Sequence, residues 1–484
     1  MFQSKLHSNA IGLRQSLLQG VASAAPAGAA VATFTGAAFY ARGALPLTAL
    51  IAFFVVLLNA YIISKISLKV SGSGGYYDYV KVGHGPSVGL FTGYMYIFYQ
   101  IMAIAFVALS IAVFVPAALS YLFNINISPI FAVPLLLAAL LYGFVVSVRG
   151  IRISTSYTMI MALIEIGVIV AMGLYVLATH PTINNLSVFS LRFSDYSPNP
   201  IIGVALGVLL MYTSFAGFGA STPLGEETRN PKVSISKSVL YSVIILGIFY
   251  VFTAYFFTVA YGPTNMANYA GALVPGISIL GSFVGVGAAI LITVLFINSL
   301  LTGLVVLTNA TSRVLMTMGR DGLVPKALSK THGKRLTPYI SAGIVTLSAF
   351  AISAIGVEIL GGFNAFIMAA IGATLGTLFV HIIINSAFPS INKKFIGRFG
   401  LRTILLSSVS IAIFLFIFGS TFIGVPNPAV VGLSVFITDP VLTGSLAFVL
   451  WTVITVAFMY IKRRRLKELK STRSMESSMD TVSK

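Results

Sequence analysis

The sequence predicts an all-α integral membrane protein of twelve transmembrane helices, built as two inverted five-helix repeats plus two C-terminal helices. Three observations predict this. The chain of 484 residues is 57% hydrophobic and only 8% charged, with mean hydropathy +0.97; a soluble protein has roughly 25% charged residues. It contains twelve apolar stretches close to the ~20 residues that a spanning helix needs. The first and sixth of these are interrupted by glycine and proline at corresponding places.

The stretches fall at 15–40, 44–66, 87–119, 130–148, 153–178, 200–224, 238–261, 277–311, 338–357, 362–388, 403–424 and 441–461. The third and eighth are long enough to tilt or to run beyond the bilayer. The organisation that follows is a polar N-terminus at 1–14, a first repeat at 15–178 (helices 1–5), a second at 200–388 (helices 6–10), the last two helices at 403–461, and a basic tail at 462–484. No soluble domain fits between them. "ASAAPAGA" has the small residues of a signal-peptidase site, but only "LLQGV" precedes it as an apolar run, and the apolar stretch continues to Tyr40.

Charge tests this division. With the N-terminus inside, the inner segments hold 28 of the 30 Lys and Arg, and only Arg42 and Arg192 fall outside. A miscounted helix would scramble that split, so the asymmetry predicts a multi-pass protein of the cell membrane with both termini cytoplasmic. It also accounts for the net charge of +19 without a nucleic-acid partner. The tail "KRRRLKELK" reads as a stop-transfer anchor, with anionic lipid as its alternative contact, and "STRSMESSMDTVSK" reads as disordered. Cysteine is absent, so no disulfide or thiolate metal site can form. The five histidines show no metal-ligand spacing.

The interruptions are "GVASAAPAGAA" (20–30) and "SFAGFGASTPLGEE" (214–227). Pro26 lacks an N–H and clashes with the preceding turn, and Gly28, Gly217, Gly219 and Pro223 loosen the backbone further. Lipid offers no hydrogen bonds, so irregular backbone at membrane depth must face protein or a wet cavity. Small residues also let helices pack closely, but two such stretches five helices apart predict a binding site between inverted repeats. An odd number of helices per repeat requires the second to be inverted.

"FAGFGASTPLGEETRNPKVSISKSV" (215–239), "NATSRVLMTMGRDGLVPKAL" (309–328) and "SGSGGYYDYVKVGHGPSVGLFTGYMYIFYQ" (71–100) resemble signatures of the amino acid–polyamine–organocation (APC) superfamily. They are similar to its sixth helix, its eighth helix with the following loop, and its second loop with the third helix. The resemblance implies a LeuT-type fold, a substrate site between helices 1, 3, 6, 8 and 10, and secondary transport of amino acids or related amines. Two positions depart from the pattern. Many members carry Glu where this chain has Gly219, and several proton-coupled members carry Lys where it has Glu165.

A zwitterion needs an anion site and a cation site close together, and a broken helix supplies both. Pro26 suits the first position of a new helical segment. The amides of Ala25, Ala27 and Gly28, in the stretch that includes Ala24, are expected to face a carboxylate. The carbonyls of Ala22, Ser23, Phe215 and Ala216, beside Gly217, are expected to face an ammonium. Phe215 matches the family's gate position, with Phe218 as the alternative; of Tyr94, Tyr96 and Tyr99, Tyr94 is expected to face inward. Glu165 lies mid-span, where an ionised carboxylate costs roughly 3 kcal/mol or more. Ser154, Thr158 and Glu165 share one helical stripe, which suits a proton carrier. The rival is Na⁺, held by carbonyls near Ala22 and Ala25 with Ser299 and Thr302. His381 and Asn385 form a polar pair that is either packing or lining.

The expected protein is therefore a permease for small or apolar amino acids, not an enzyme, with H⁺ or Na⁺ as coupling ion and no other cofactor, working as a monomer or homodimer. Carriers of polyamines or nucleobases on the same fold remain open. A channel would show a continuous polar pore, and a membrane enzyme would show acidic clusters in its loops.

Overall fold

The computed structural model describes residues 5–196, 199–272, 274–420, 439–464 and 466–468. The end of the eleventh predicted span and most of the tail, including "STRSMESSMDTVSK", lie outside them. Among the described residues the chain is helical, apart from an isolated bridge between Ile11 and Thr228.

The first apolar stretch forms α1 (Leu13–Ser23) and, after a break, α2 (26–41). The latter is α-helical over Pro26–Gly28, a π-helix over Ala29–Thr33, and α-helical again over Phe34–Ala41. There follow α3 (Leu45–Ser67), α4 (Tyr76–His84), α5 (Pro86–Phe123), α6 (Ala132–Val148), α7 (Ile151–Thr179) and α8 (Pro200–Ser214). The rest are α9 (Pro231–Tyr261), α10 (Pro275–Phe283), α11 (Val286–Arg320), α12 (Tyr339–Leu360), α13 (Gly362–Ile396), α14 (Leu401–Ser420) and α15 (Pro440–Ile461). Among the described residues, ten helical runs are long and apolar enough to cross a membrane, with Leu13–Ser67 taken as one run and Pro200–Ser214 falling short of the length.

Three expectations change. The eighth stretch is two helices, because Gly285 takes φ +115° and turns the chain between α10 and α11. The sixth is regular helix only as far as Ser214. The segment before the third span contains α4, which hydropathy missed because Asp78, Lys81 and His84 interrupt its apolar face.

α5 and α13 are the most enclosed helices. α5 packs on α13 and α11, α3 on α9, α1 on α7, α9 and α11, and α8 on α2, α3 and α13. The connections gather at two ends. At one, Arg42 meets Asp195 and the carbonyl of Ala267. At the other, Ile11 pairs with Thr228, Tyr77 bonds Asp321, Lys69 bonds Asn392, and Thr337 bonds the carbonyl of Val148. This second end, called the basic end below, joins the segments that carry most of the positive charge.

Candidate functional site

The first break follows directly from Pro26. The residue before a proline is driven out of the right-handed helical region, and Ala25 takes φ 45°, ψ 71°. Proline then starts α2 at its first position. The Ala24 and Ala25 amides turn back to the carbonyls of Val21 and Ala22 at 3.2 and 3.1 Å. At the second break Pro223 enters only a three-residue 3₁₀ turn, Thr222–Leu224, and no α-helix restarts there. Gly217 takes φ +91°, and the chain continues in i→i+3 turns, from the Phe218 amide on Phe215 (3.1 Å) to the Glu227 amide on Leu224 (3.0 Å).

Two side chains join the breaks. The Ser23 hydroxyl lies 2.6 Å from the Gly217 carbonyl and 2.7 Å from that of Gly20. The Tyr250 hydroxyl, brought in by α9, lies 2.8 Å from the Ser214 carbonyl and 3.1 Å from the Ala24 carbonyl. It thus serves the carbonyl ends of both interrupted helices. Gly217 must be glycine for this approach, since a Cβ there would sit 2.7 Å from that of Ser23.

Between the breaks is a cavity of about 20 Å³, enough for one water, which needs roughly 10–15 Å³. Of the predicted residues, Ser23, Ala24, Ala25, Gly28 and Ala216 line it. Thr213, Phe106 and Ser110, and Leu300 and Leu307 complete it from α8, α5 and α11. No charged side chain is on its wall.

Several expectations are corrected. Ala22, Ala27 and Gly217 are buried at the breaks but off the cavity wall. The carbonyls of Ala22 and Phe215 already accept the amides of Ala25 and Phe218. Phe215 packs edge-on against Tyr250 at 5.0 Å, and Phe218 packs on His381 at 5.5 Å, so neither ring covers the cavity. Tyr94 faces away: it stacks on Phe458 of α15 at 5.6 Å, and its carbonyl accepts Trp451 Nε1 at 3.0 Å. The inward stripe of α5 runs through Tyr96, Tyr99, Ala103, Phe106 and Ser110, and residue 94 is out of phase with it. His381 bonds Tyr212 at 2.6 Å and Asn385 bonds Ser410 at 2.8 Å, so this pair packs and does not line the cavity.

Glu165 is fully buried on α7 and meets the first break from behind the cavity. Its Oε2 accepts the Ser299 hydroxyl at 2.5 Å and its Oε1 accepts Asn298 Nδ2 at 3.2 Å, and the carboxylate faces the Ala27 amide. Both oxygens are thus occupied by donors from α11, beside the restart of the first helix. Ser299 is on this group, whereas Thr302 bonds its own helix at the Ser299 carbonyl (2.8 Å). Ser154 lies on the same buried stripe and accepts Asn309 Nδ2 at 3.1 Å. Asn298 and Tyr250 were missed by sequence reasoning; the available signal for Asn298 was its place beside Ser299 in an apolar span.

The signature residues at the basic end pair with one another. Arg313 of α11 forms a two-point contact with Glu227, through Nε to Oε2 and through Nη2 to Oε1 at 3.0 Å, with both side chains 1% exposed. Arg320 pairs with Glu226, and Asp321 pairs with Lys81 and Tyr77. The glycine loop before α4 wraps the Asp78 carboxylate, which accepts the Gly74 amide at 2.9 Å. Burial pushes that carboxyl up to about 6, against the opposing pull of Lys81.

Long apolar helices around two broken ones, with a near-apolar cavity between the breaks, describe a multi-pass membrane protein built around an internal site. The chain belongs to the Amino acid permease family, whose model matches residues 15–470, within the APC superfamily. It is similar to the branched-chain amino acid permease BcaP of Bacillus subtilis (25% identical, 79% of this chain and 81% of the relative). It is also similar to the methylthioribose transporter of Bacillus subtilis (25% identical, 78% and 80%) and to the low-affinity putrescine importer PlaP of Escherichia coli (23% identical, 72% and 74%). With this family and these relatives, the chain is a transporter.

Proposed function

We propose that this chain is a secondary transporter of small or apolar amino acids, driven by protons through Glu165. The observation that carries the reading is the position of Glu165 against the Ala27 amide. Its carboxylate faces that amide at the restart of the first helix, where a substrate carboxylate would need it. A proton on Glu165 removes the negative charge that competes with the substrate for this amide, and its O–H can be accepted by the Ser299 hydroxyl. Proton and substrate then bind together. The cavity wall of Ala, Gly, Ser, Thr, Phe and Leu suits a small or apolar side chain, and its lack of a carboxylate disfavours a diamine.

The sodium reading rests on Ser299, whose hydroxyl and the Glu165 carboxylate put two hard oxygens within 2.5 Å. The paired packing of α3 with α9, and of α5 with α13 beside α7 with α11, is what a five-helix repeat would produce. With Leu13–Ser67 divided at Arg42 and the sixth span completed by its turns, twelve crossings result. We place the protein in the cell membrane with both ends inside, as a monomer or homodimer.

The test is purified protein in liposomes, with proton and sodium gradients imposed separately. Glu165→Gln is expected to keep exchange between two substrate pools and to lose accumulation driven by an inward proton gradient. Accumulation by the variant on protons alone would remove Glu165 as the carrier. A wild type that needs sodium, with the need abolished by Ser299→Ala, would replace protons with Na⁺.

A further inference from the structure

At the basic end, Tyr61 and Lys65 lie one turn apart on one face of α3, and Lys69 follows in the turn just past its end. Lys65 Nζ lies 5.1 Å from the centre of the Tyr61 ring. Arg402, at the start of α14, lies 5.9 Å from the same ring and donates Nη2 to the Tyr61 hydroxyl at 3.2 Å. Lys69 donates to Asn392 of α13 at 2.6 Å, and the adjoining Lys393 sits 4.5 Å from the Phe399 ring. Four cations therefore gather where α3, α13 and α14 meet. Among the described residues none of the four has a carboxylate within 4.0 Å.

A preference for positive charge on one side explains which end these residues occupy. It does not explain why two of them converge on one ring with no carboxylate beside them among the described residues. Like charges at this range repel, and a bound anion removes the repulsion. The surroundings indicate which anion. Phe395, Ile396, Phe399 and Leu401 stand exposed beside the cations, Leu401 at 72%. An apolar skirt under a cationic rim at the end of spanning helices matches the boundary between acyl chains and head groups.

We propose that Lys65, Lys69, Lys393 and Arg402, arranged around Tyr61, form a binding site for the head group of an anionic phospholipid. The tyrosine keeps Lys65 and Arg402 in place by cation–π contact and by its hydroxyl. The lipid phosphate is received between them, with Lys69 and Lys393 on its flank. The site is separate from the cavity and from Glu165, so it stands or falls independently of the transport reading.

The test is native mass spectrometry of the full chain in neutral detergent, titrated with phosphatidylglycerol or phosphatidylcholine, with soluble glycerol phosphate as competitor. The wild type is expected to retain phosphatidylglycerol preferentially. Lys65→Gln combined with Arg402→Gln is expected to lower that retention about 25-fold, at roughly fivefold per charge removed. Arg402→Lys is expected to hold most of it, and Arg149→Gln with Arg152→Gln, at the same end but away from the ring, all of it. Equal retention of the two lipids, undiminished retention by the first double variant, or an equal loss in the second would overturn the proposal. Displacement by glycerol phosphate at lipid-like concentrations would overturn it as well, since the site would then be one for free anions.

Discussion

The two breaks are made from the same few residue types, yet they end differently. After Ala25 a proline restarts a helix, and the freed amides point in a fixed direction, one of them onto Glu165. After Ser214 no α-helix restarts before Pro231: Pro223 sits in a single 3₁₀ turn, and the chain descends in short turns held at their far end by the Glu227–Arg313 pair. A restart with preset φ makes the first break a rigid donor. A run of turns, with fewer i→i+4 bonds, makes the second the pliable one.

The largest expected effect tests the anchor of the pliable break. Glu227→Gln leaves the Arg313 charge buried without its partner, which costs about 3–5 kcal/mol. Thermal unfolding in detergent is the measure, and the pair Glu227→Gln, Arg313→Gln should recover much of the loss. Next is Gly217→Ala, which places a side chain at φ +91° against Ser23. Left-handed backbone alone costs an L-residue about 1–2 kcal/mol, and substrate binding should fail with it. Gly28→Ala meets the end of the Leu300 side chain and, at 3.2 Å, the Ala25 Cβ, but without a left-handed backbone, and should be milder, while Gly28→Leu should abolish binding in a folded protein. Equal effects of the two alanine changes would break the contrast.

Tyr250→Phe removes the hydroxyl that serves both breaks. A hydrogen bond of this kind contributes about 1 kcal/mol, so KM for uptake should rise roughly fivefold with the maximal rate little changed. The smallest effect concerns Asp78, whose glycine loop presses on Thr222, Pro223 and Gly225 of the second break. Its carboxyl is raised in the folded state to about 6, so the folded protein binds that proton more tightly than the unfolded chain. This contribution to stability grows as pH falls from 7 through 6 and levels off near the ordinary aspartate range. Asp78→Asn should lack it, and melting temperatures of both proteins at pH 7 and 5 give the difference.

Lipid made most of the helices legible, because a spanning segment must be long, apolar and flanked by charge. The breaks were legible because glycine, proline and small polar residues cluster there, in corresponding spans of the two halves. What escaped the sequence depends on contacts through space. Nothing local relates Glu227 to Arg313, 86 residues away, or Tyr250 to Ala24. Helical phase, which set Glu165 on a stripe with Ser154, would also have excluded Tyr94, had it been counted from Phe106. The extent of the sixth helix was misjudged because hydropathy counts the stretch to Leu224 as span whether or not its backbone is α-helical, and Gly217, Gly219 and Pro223 hold it as turns.

The narrowness of the central cavity has a consequence for the transport cycle. With room for about one water, the unloaded protein keeps no hole open between its breaks and needs no substrate to fill one. Reorienting empty then requires no cavity to be carried across the bilayer. On the proposed reading, such a protein would accomplish net uptake without one-for-one exchange. Efflux into substrate-free medium should accordingly run at a rate comparable to efflux into medium that contains substrate.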